Sequence, residues 1–527
     1  MPPVRTPSNS TAVTEEIRLP AAAGPRLRDD RFGRLVLGVV AVVTTLSAIR
    51  ALLPMPWLGD IWRPADTATI ARNFYRGGMN LFFPQINWGG NGPGYVEAEL
   101  QLVPWLAAAG YHLVGEHAWV GRMISVVFTI VAVLAFWGLV RRILPPTPAR
   151  WALLAFVVSP AVMTWGNAFM PDITVLAFYV LALLGFQRWL SEDRGVWLAA
   201  TAGAVAVAAL VKPTSLHVGL VLLIWLLLAD RRRFRGPMLY VAAVAAVVPV
   251  AVWLWHASNL YRTYGNTFGV ISGGDSKFGN LALWTSPLFW TGNATIETML
   301  VFGVAGVPFA VLGAWTAWRA RGPVVLAAGI PAVAVFYVAV ARYSMELGPQ
   351  YHVFSLPFAA IVVGLGVTAA GQWLRRHEVR RGYRGLLAVV AVVALSVASI
   401  TVFAQSFVDR RGVLAGCAQV LQSKSAPTDL VIVATSSVAV DRGTSNNFEE
   451  PTVFYLADRK GWSLPADRHD PALVASYLAA GARWFVEPDP SLLPPGAPLT
   501  RWLAENAQQV RSVMVGGCDM WSLRTRT

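Results

Sequence analysis

The chain has 527 residues, 55% of them hydrophobic and only 14% charged, with a formal net charge of +14. Apolar runs of bilayer length, about 20 residues per helix, recur along it, which identifies a polytopic membrane protein and excludes a soluble globular one. Its Arg residues lie in short clusters between those runs and form no continuous basic face, so nucleic acid is excluded as a partner. Lys stands only at positions 212, 277, 424 and 460, which makes each Lys an exception to the local habit; the Arg bias suits a bacterial source with GC-rich codons.

Residues 1 to 33 are rich in Pro, Ser, Thr, Ala and Arg without helical periodicity and read as a disordered basic tail. The run LVLGVVAVVTTLSAI follows Arg31 and Arg34 with no small-residue cleavage site behind it, so it is a retained helix rather than a signal peptide, and the tail stays in the cytoplasm. Ten further spans are expected at roughly 118–140, 151–166, 172–189, 196–211, 214–229, 238–258, 297–318, 324–342, 354–374 and 385–405. With the amino terminus inside, alternation makes RRILPPTPAR, QRWLSEDRG, DRRRFRG, WRARG and RRHEVRRGYRG cytoplasmic, and each carries the dense Arg expected there.

The expected architecture is therefore an α-helical transmembrane domain over 34–406, with outer loops at 56–117 and 259–295, and an extracytoplasmic α/β domain over 407–527. Asp66, Glu97, Glu99, Asp172, Lys212, Asp275, Lys277 and His352 then all fall on the outer face. Charges at a membrane edge are costly and are functional candidates by default.

In the first outer loop, RPADTATIARNFYRGGMN places Asp66 ahead of a short amphipathic helix that stops at Gly77 and Gly78. The structural alternative for Asp66 is a helix N-cap accepting from an amide near Thr69. A Gly- and Pro-rich stretch then leads into a second helix expected from Tyr95 to about Leu113, bringing Glu97 and Glu99 back beside the membrane. The loop YRTYGNTFGVISGGDSKFGN has the composition of a mobile segment, either a lid that carries Lys277 to the site or a plain connector. Trp57, Trp62 and Trp88 read as interfacial anchors.

Beyond residue 406, the strand candidates DLVIVAT, ARWFVEP and VRSVMV alternate with the helical patterns PTVFYLADRKGW, DPALVASYLAAGA and PLTRWLAENAQ, the pattern of a small α/β layer domain. Its two cysteines, Cys417 and Cys518, are the only ones in the chain and lie near its two ends, in a compartment where a disulfide persists.

A pocket at the membrane surface, lined by acids with a few isolated cations, suits a substrate that is part lipid and part polar. In sugar transfer from a polyprenyl phosphate, the leaving phosphate needs charge neutralisation and the acceptor hydroxyl needs a base. Lys212, Lys277, Arg72, Arg262 and His352 are candidate phosphate partners. The acids offer the oxygen ligands that a divalent metal takes, while no His/Cys cluster of zinc spacing occurs. No Gly-rich nucleotide loop appears, so a soluble nucleotide sugar is not the expected donor.

The order of RPADTATIARNFYRGG, GPGYVEAELQLVPWL, WVGRMIS, SPAVMTWGNAFMPD, LVKPTS and QYHVFSLPFA resembles the GT-C superfamily of membrane glycosyltransferases. It is most similar to the dolichyl-phosphate-mannose protein mannosyltransferases and aminoarabinose transferases (glycosyltransferase family 39 and relatives), over roughly residues 34 to 405. The resemblance implies that Asp66 is the general base, Glu97 a second first-loop carboxylate and Asp172 the acid at the end of the fourth span. It makes Lys212 and His352 contacts to donor phosphate or sugar. Asp66-Thr67 stands where protein mannosyltransferases have an Asp-Glu pair, which argues against protein O-mannosylation. Asn91-Gly92-Pro93-Gly94 stands where the aminoarabinose transferases have Lys-Pro-Pro, leaving a lipid-phosphate contact for Lys277 or an Arg to supply.

Two other readings compete: a transporter or flippase of a lipid-linked sugar, and a scaffold whose outer domain binds cell-wall material. The first calls for ionisable or helix-breaking residues at the bilayer midplane and often internal repeats; the acids here are at the boundary. The second leaves those acids without a role.

Overall fold

The computed structural model describes residues 31–53, 62–272, 277–405, 413–436, 440–441, 444–445, 449–510 and 518–523. The tail up to residue 30, Trp57, Asp275 and all of VRSVMV but Val510 lie outside these.

Among the described residues the first helix, α1 (Arg31–Leu52), already begins within the stretch expected to be irregular. It is followed by α2 (Trp62–Gly77), the short strand β1 (Val96–Glu97), α3 (Leu102–Val114), α4 (Ala118–Ile143), α5 (Pro146–Val157), α6 (Pro160–Trp165), α7 (Asp172–Glu192), α8 (Gly195–Val211), α9 (Val218–Ala229) and α10 (Pro237–Tyr264). Strand β2 (Asn266–Thr267) pairs in parallel with β1. Then come α11 (Leu281–Thr285), α12 (Pro287–Ile296), α13 (Val307–Arg319), α14 (Val324–Ala339), α15 (Leu356–Arg376) and α16 (Arg381–Gln405).

Six helices, namely α1, α4, α7, α10, α15 and α16 from Gly382 on, are long and apolar enough to cross a membrane. Two of the other expected spans, 196–211 and 324–342, are the shorter single helices α8 and α14, and the remaining three are broken. The span placed at 151–166 starts earlier and breaks at Val158 and Ser159 into α5 and α6, because Pro160 forces an extended Ser159 before it. The span at 214–229 is a tight 3-10 turn, Pro213–His217, followed by α9. The one at 297–318 is a π-helical segment, Glu297–Val301, then a turn and α13. Leu386, Val389, Val390, Val393, Val397 and Ile400 of α16 form an exposed apolar stripe, as a helix facing lipid does.

The C-terminal unit opens with α17 (Val413–Lys424) and strand β3 (Leu430–Ala434); the short strands β4 (Val440–Asp441) and β5 (Thr444–Ser445) pair with each other. It continues with α18 (Pro451–Ala457), β6 (Lys460–Leu464), α19 (Pro471–Ala479), β7 (Ala482–Glu487), α20 (Pro498–Asn506), β8 (Gln508–Gln509) and β9 (Asp519–Ser522). One sheet runs in the order β6-β3-β7-β9-β8, parallel in its first three strands and antiparallel in the rest. The stretch PTVFYLADRKGW, expected to be wholly helical, ends its helix at Ala457 and enters β6, since Asp458 turns left-handed and Gly461 follows. Cys417 and Cys518 are disulfide-bonded across a separation of 101 residues.

This unit packs on the first long loop. Gly90 donates to the Gly461 carbonyl at 2.6 Å and Gly461 to the Asn87 carbonyl at 2.9 Å, so the loop covers the free edge of β6. Gly90 has φ +87, and a Cβ there would come within 2.7 Å of the Trp462 indole nitrogen. One apolar core joins Ile70, Phe74, Trp88 and Val96 to Leu421, Val431, Phe454 and Val486.

Candidate active site

Asp66 lies inside α2 and is no N-cap. The helix starts at Trp62 with Pro64 in its first turn, a position that proline favours, so Asp66 falls on its buried face. The Trp88 indole donates to Asp66 Oδ1 at 2.9 Å, which makes Trp88 a partner of the acid rather than an interfacial anchor. Asp66 Oδ2 is buried and has no hydrogen-bond partner among the described residues. Burial pushes the Asp66 carboxyl up to about 7, against the pull of Arg63 and the Trp88 hydrogen bond and with help from Glu450 and Glu99.

The second helix begins at Leu102, seven residues later than expected, because residues before it run extended to pair with β2. Glu97 therefore sits on β1. Its carboxylate accepts from Thr267 Oγ1 at 2.9 Å and from the Ile271 and Ser272 amides at 2.8 and 2.9 Å. With those three bonds it anchors the 267–272 loop and has no oxygen free to orient a substrate. Glu99 pairs with Arg63 at 2.8 Å, and Arg63 lies over the Phe268 ring at 4.6 Å. Burial would raise the Glu99 carboxyl, but Arg63, with Lys277 and Lys212 behind it, holds it below its ordinary range.

Asp172, the first residue of α7, pairs with Lys212, which follows α8, and both are buried. Lys212 Nζ also lies 4.1 Å from the centre of the Tyr351 ring. Lys277 reaches the same neighbourhood 5.9 Å from the Tyr343 ring centre, and Glu99 is the first carboxylate to act on it. It makes no ion pair with any described residue, and burial pulls its ammonium below the usual lysine range. Asp66, Arg63, Glu99, Asp172, Lys212, Lys277 and Tyr351 thus share one electrostatic neighbourhood.

Three expected phosphate partners lie elsewhere. Arg72 is engaged by Glu116 at 2.6 Å, by the Tyr455 carbonyl at 2.7 Å and by Asp458 at 3.2 Å, so it fastens α2 to α18. Arg262 is exposed in the last turn of α10, with no polar contact to the described residues. His352 is fully buried, with Nδ1 2.8 Å from Glu297 Oε1 and Nε2 2.9 Å from the Ser344 carbonyl. Tyr337 OH and Ser355 Oγ donate to the same Glu297 carboxylate at 2.6 and 3.0 Å.

Sequence reasoning passed over Arg63, Tyr351, Glu297 and Glu449. Arg63 and Tyr351 adjoin residues already singled out, and a lone Glu opening an apolar run was itself a signal. Glu449 is known only through the fold. No group of three His, Cys, Asp or Glu among the described residues is placed to hold a metal.

Residues 101–256 match the family model of the dolichyl-phosphate-mannose-protein mannosyltransferases. No curated protein matches the chain in sequence. In structure it is similar to ArnT from Cupriavidus metallidurans bound to undecaprenyl phosphate, with TM-score 0.62 and 16% identity over 94% of this chain and 99% of that one. It is also similar to the Archaeoglobus fulgidus oligosaccharyltransferase, with TM-score 0.56 and 12% identity over 86% of this chain and 69% of that one. The mycobacterial arabinofuranosyltransferase AftD gives TM-score 0.51 and 15% identity over 94% of this chain and 40% of that one. The chain is therefore a multi-pass membrane protein with the fold of the GT-C glycosyltransferases.

Proposed function

We propose that the chain moves a hexosyl or pentosyl group from a polyprenyl-phosphate donor to an acceptor in the cell envelope, with inversion at the anomeric carbon. The observation that carries this reading is the Asp66 carboxylate, fixed through Oδ1 by Trp88 while its buried Oδ2 is left open. A base must be held in place and still have an acceptor lone pair to offer. Asp66 takes the proton of the acceptor hydroxyl, the oxygen bonds to the anomeric carbon, and the bond from that carbon to the phosphate oxygen breaks.

The phosphate leaves with the electron pair and meets Lys277, which lacks a counter-ion among the described residues, and Lys212. Asp172 holds Lys212 in place, and Glu99 holds Arg63 beside Asp66. Direct attack by a single activated hydroxyl inverts the anomeric centre. The Arg clusters favour a cytoplasmic amino terminus and an extracytoplasmic C-terminal domain in a bacterial cell membrane, so the donor's head group is met outside. The ArnT structure bound to undecaprenyl phosphate supports a polyprenyl carrier.

Incubating the purified chain with a panel of polyprenyl-phosphate sugars tests the reading, with donor cleavage followed by chromatography and product configuration by NMR. Cleavage of at least one donor with inverted product is expected. Absence of cleavage across the panel, with lipid flipping in vesicles instead, would replace it by the flippase reading.

A further inference from the structure

The C-terminal domain reaches the candidate base. Trp62 and Asp66 are four residues apart on α2 and so share one helix face. The Trp62 indole donates to the Glu449 backbone carbonyl at 2.7 Å, which fixes Glu449 against that face. Glu450, the next residue, caps α18 by accepting from the Thr452 amide at 3.0 Å, and its own amide donates to Ser463 Oγ at 3.1 Å. Glu449 is thus held from both sides.

Asp66 is 1% exposed and Glu449 4% exposed; Oδ2 of the first and Oε1 of the second are buried atoms without a partner. A buried carboxylate oxygen with no donor is costly, and two buried carboxylates on either side of one contact, here the Trp62 bond to the Glu449 carbonyl, oppose each other's charge. The charged groups around them are Arg63 on α2, Glu99 from the loop before α3, and Glu450; Asp66 is the charged group that bears most on Glu449. Among these Arg63 is the one cation, and Glu99 already binds it.

We propose that Asp66 and Glu449 form one carboxyl pair across the two domains and hold a single proton between them. This rests on the proposed role of Asp66 and adds to it a positioning residue supplied by the C-terminal domain. With one member protonated, the other is the base; the acceptor's proton then makes the pair doubly protonated and uncharged until it is lost to solvent after transfer. Docking of the C-terminal domain on α2 therefore sets the proton affinity of the base.

Infrared titration of the full chain in detergent tests the pair without any sugar donor. The wild-type spectrum minus that of Asp66→Asn isolates the Asp66 carboxyl band. In Glu449→Gln, with its own Asp66→Asn counterpart as reference, that band should titrate about one pH unit or more lower than in wild type. Glu449→Asp, which keeps the charge, should leave it near the wild-type position. An unchanged titration in folded Glu449→Gln overturns the pair. If Glu449→Gln does not fold, Trp62→Phe takes its place, with the same downward shift expected and an unchanged titration again counting against the pair. Sugar transfer by Asp66→Asn near the wild-type rate would instead defeat the base and leave the titration result standing.

Discussion

Two polar clusters are joined through Tyr351 and His352, neighbours in the chain, yet they are built in opposite ways. Around Glu297 both carboxylate oxygens are engaged, by Tyr337, His352 and Ser355, and the other ring nitrogen of His352 meets the Ser344 carbonyl. Around Asp66 the valences stay open, with one carboxylate oxygen lacking a donor and Lys277 acted on by Glu99 without a contact ion pair to any described residue. Buried polar groups are nearly always satisfied, so the open oxygen of Asp66, set among charged side chains, supports the proposed acceptor site. The closed cluster braces the fold; the open one is held ready by it through Tyr351 and Lys212.

Substitutions in the two clusters should have different consequences. His352→Ala should give the largest stability loss, roughly 3–5 kcal/mol, because it empties the site of a fully buried ring and takes one hydrogen bond from Glu297 and one from the Ser344 carbonyl. Chemical denaturation checks this, and the surviving folded fraction should keep its rate per molecule; a large loss of rate in fully folded protein would place His352 in the chemistry.

Asp66→Asn should act with the opposite sign on stability. The folded-state value of about 7 lies above the ordinary 3.8, so the stability that Asp66 contributes is fully present below about pH 4 and is lost as pH rises through about 7. Removing the charge should stabilise the chain at pH 8 by roughly 2–4 kcal/mol and flatten its stability profile over that window. A less stable variant would show that Asp66 has a structural partner. Lys277→Ala should weaken polyprenyl phosphate binding by roughly 10- to 100-fold while leaving the fold intact, the worth of one charge-assisted contact. Titration with undecaprenyl phosphate measures it, and unchanged affinity would remove Lys277 from the phosphate site. The smallest effect belongs to Arg76→Ala: its pairs with Glu116 and Asp458 are half exposed, so about 1 kcal/mol or less is expected in denaturant. A loss of several kcal/mol would make the α2–α18 contact a principal fastening.

The helical domain was legible because apolar length is a composition property, and every expected span overlaps described helix. Its internal breaks were less so: the expected span 151–166 ran through Pro160, where the helix breaks. Asp66, Asp172, Lys212 and Lys277 were legible as polar residues in costly places, and the fold brings them together. Glu97 looked the same in sequence as Glu99, and only the pairing of β1 with β2 separates the anchor from the site residue. Arg72 carried a charge of the right sign, but its acids come from residues 116 and 458, which no local pattern connects to it. Glu449 lies hundreds of residues from Asp66 in a stretch without periodicity, so nothing short of the fold could associate them.

Whether the open carboxylate is the base is decided by the pH–rate profile of sugar transfer by wild type and Asp66→Asn. Wild type should gain rate as pH rises through about 7, where Asp66 loses its proton. Asp66→Asn, folded and still binding donor, should be slower by a factor of about 10² to 10⁴ and lack that rise. A variant that transfers sugar at near the wild-type rate with the same pH dependence would contradict the account.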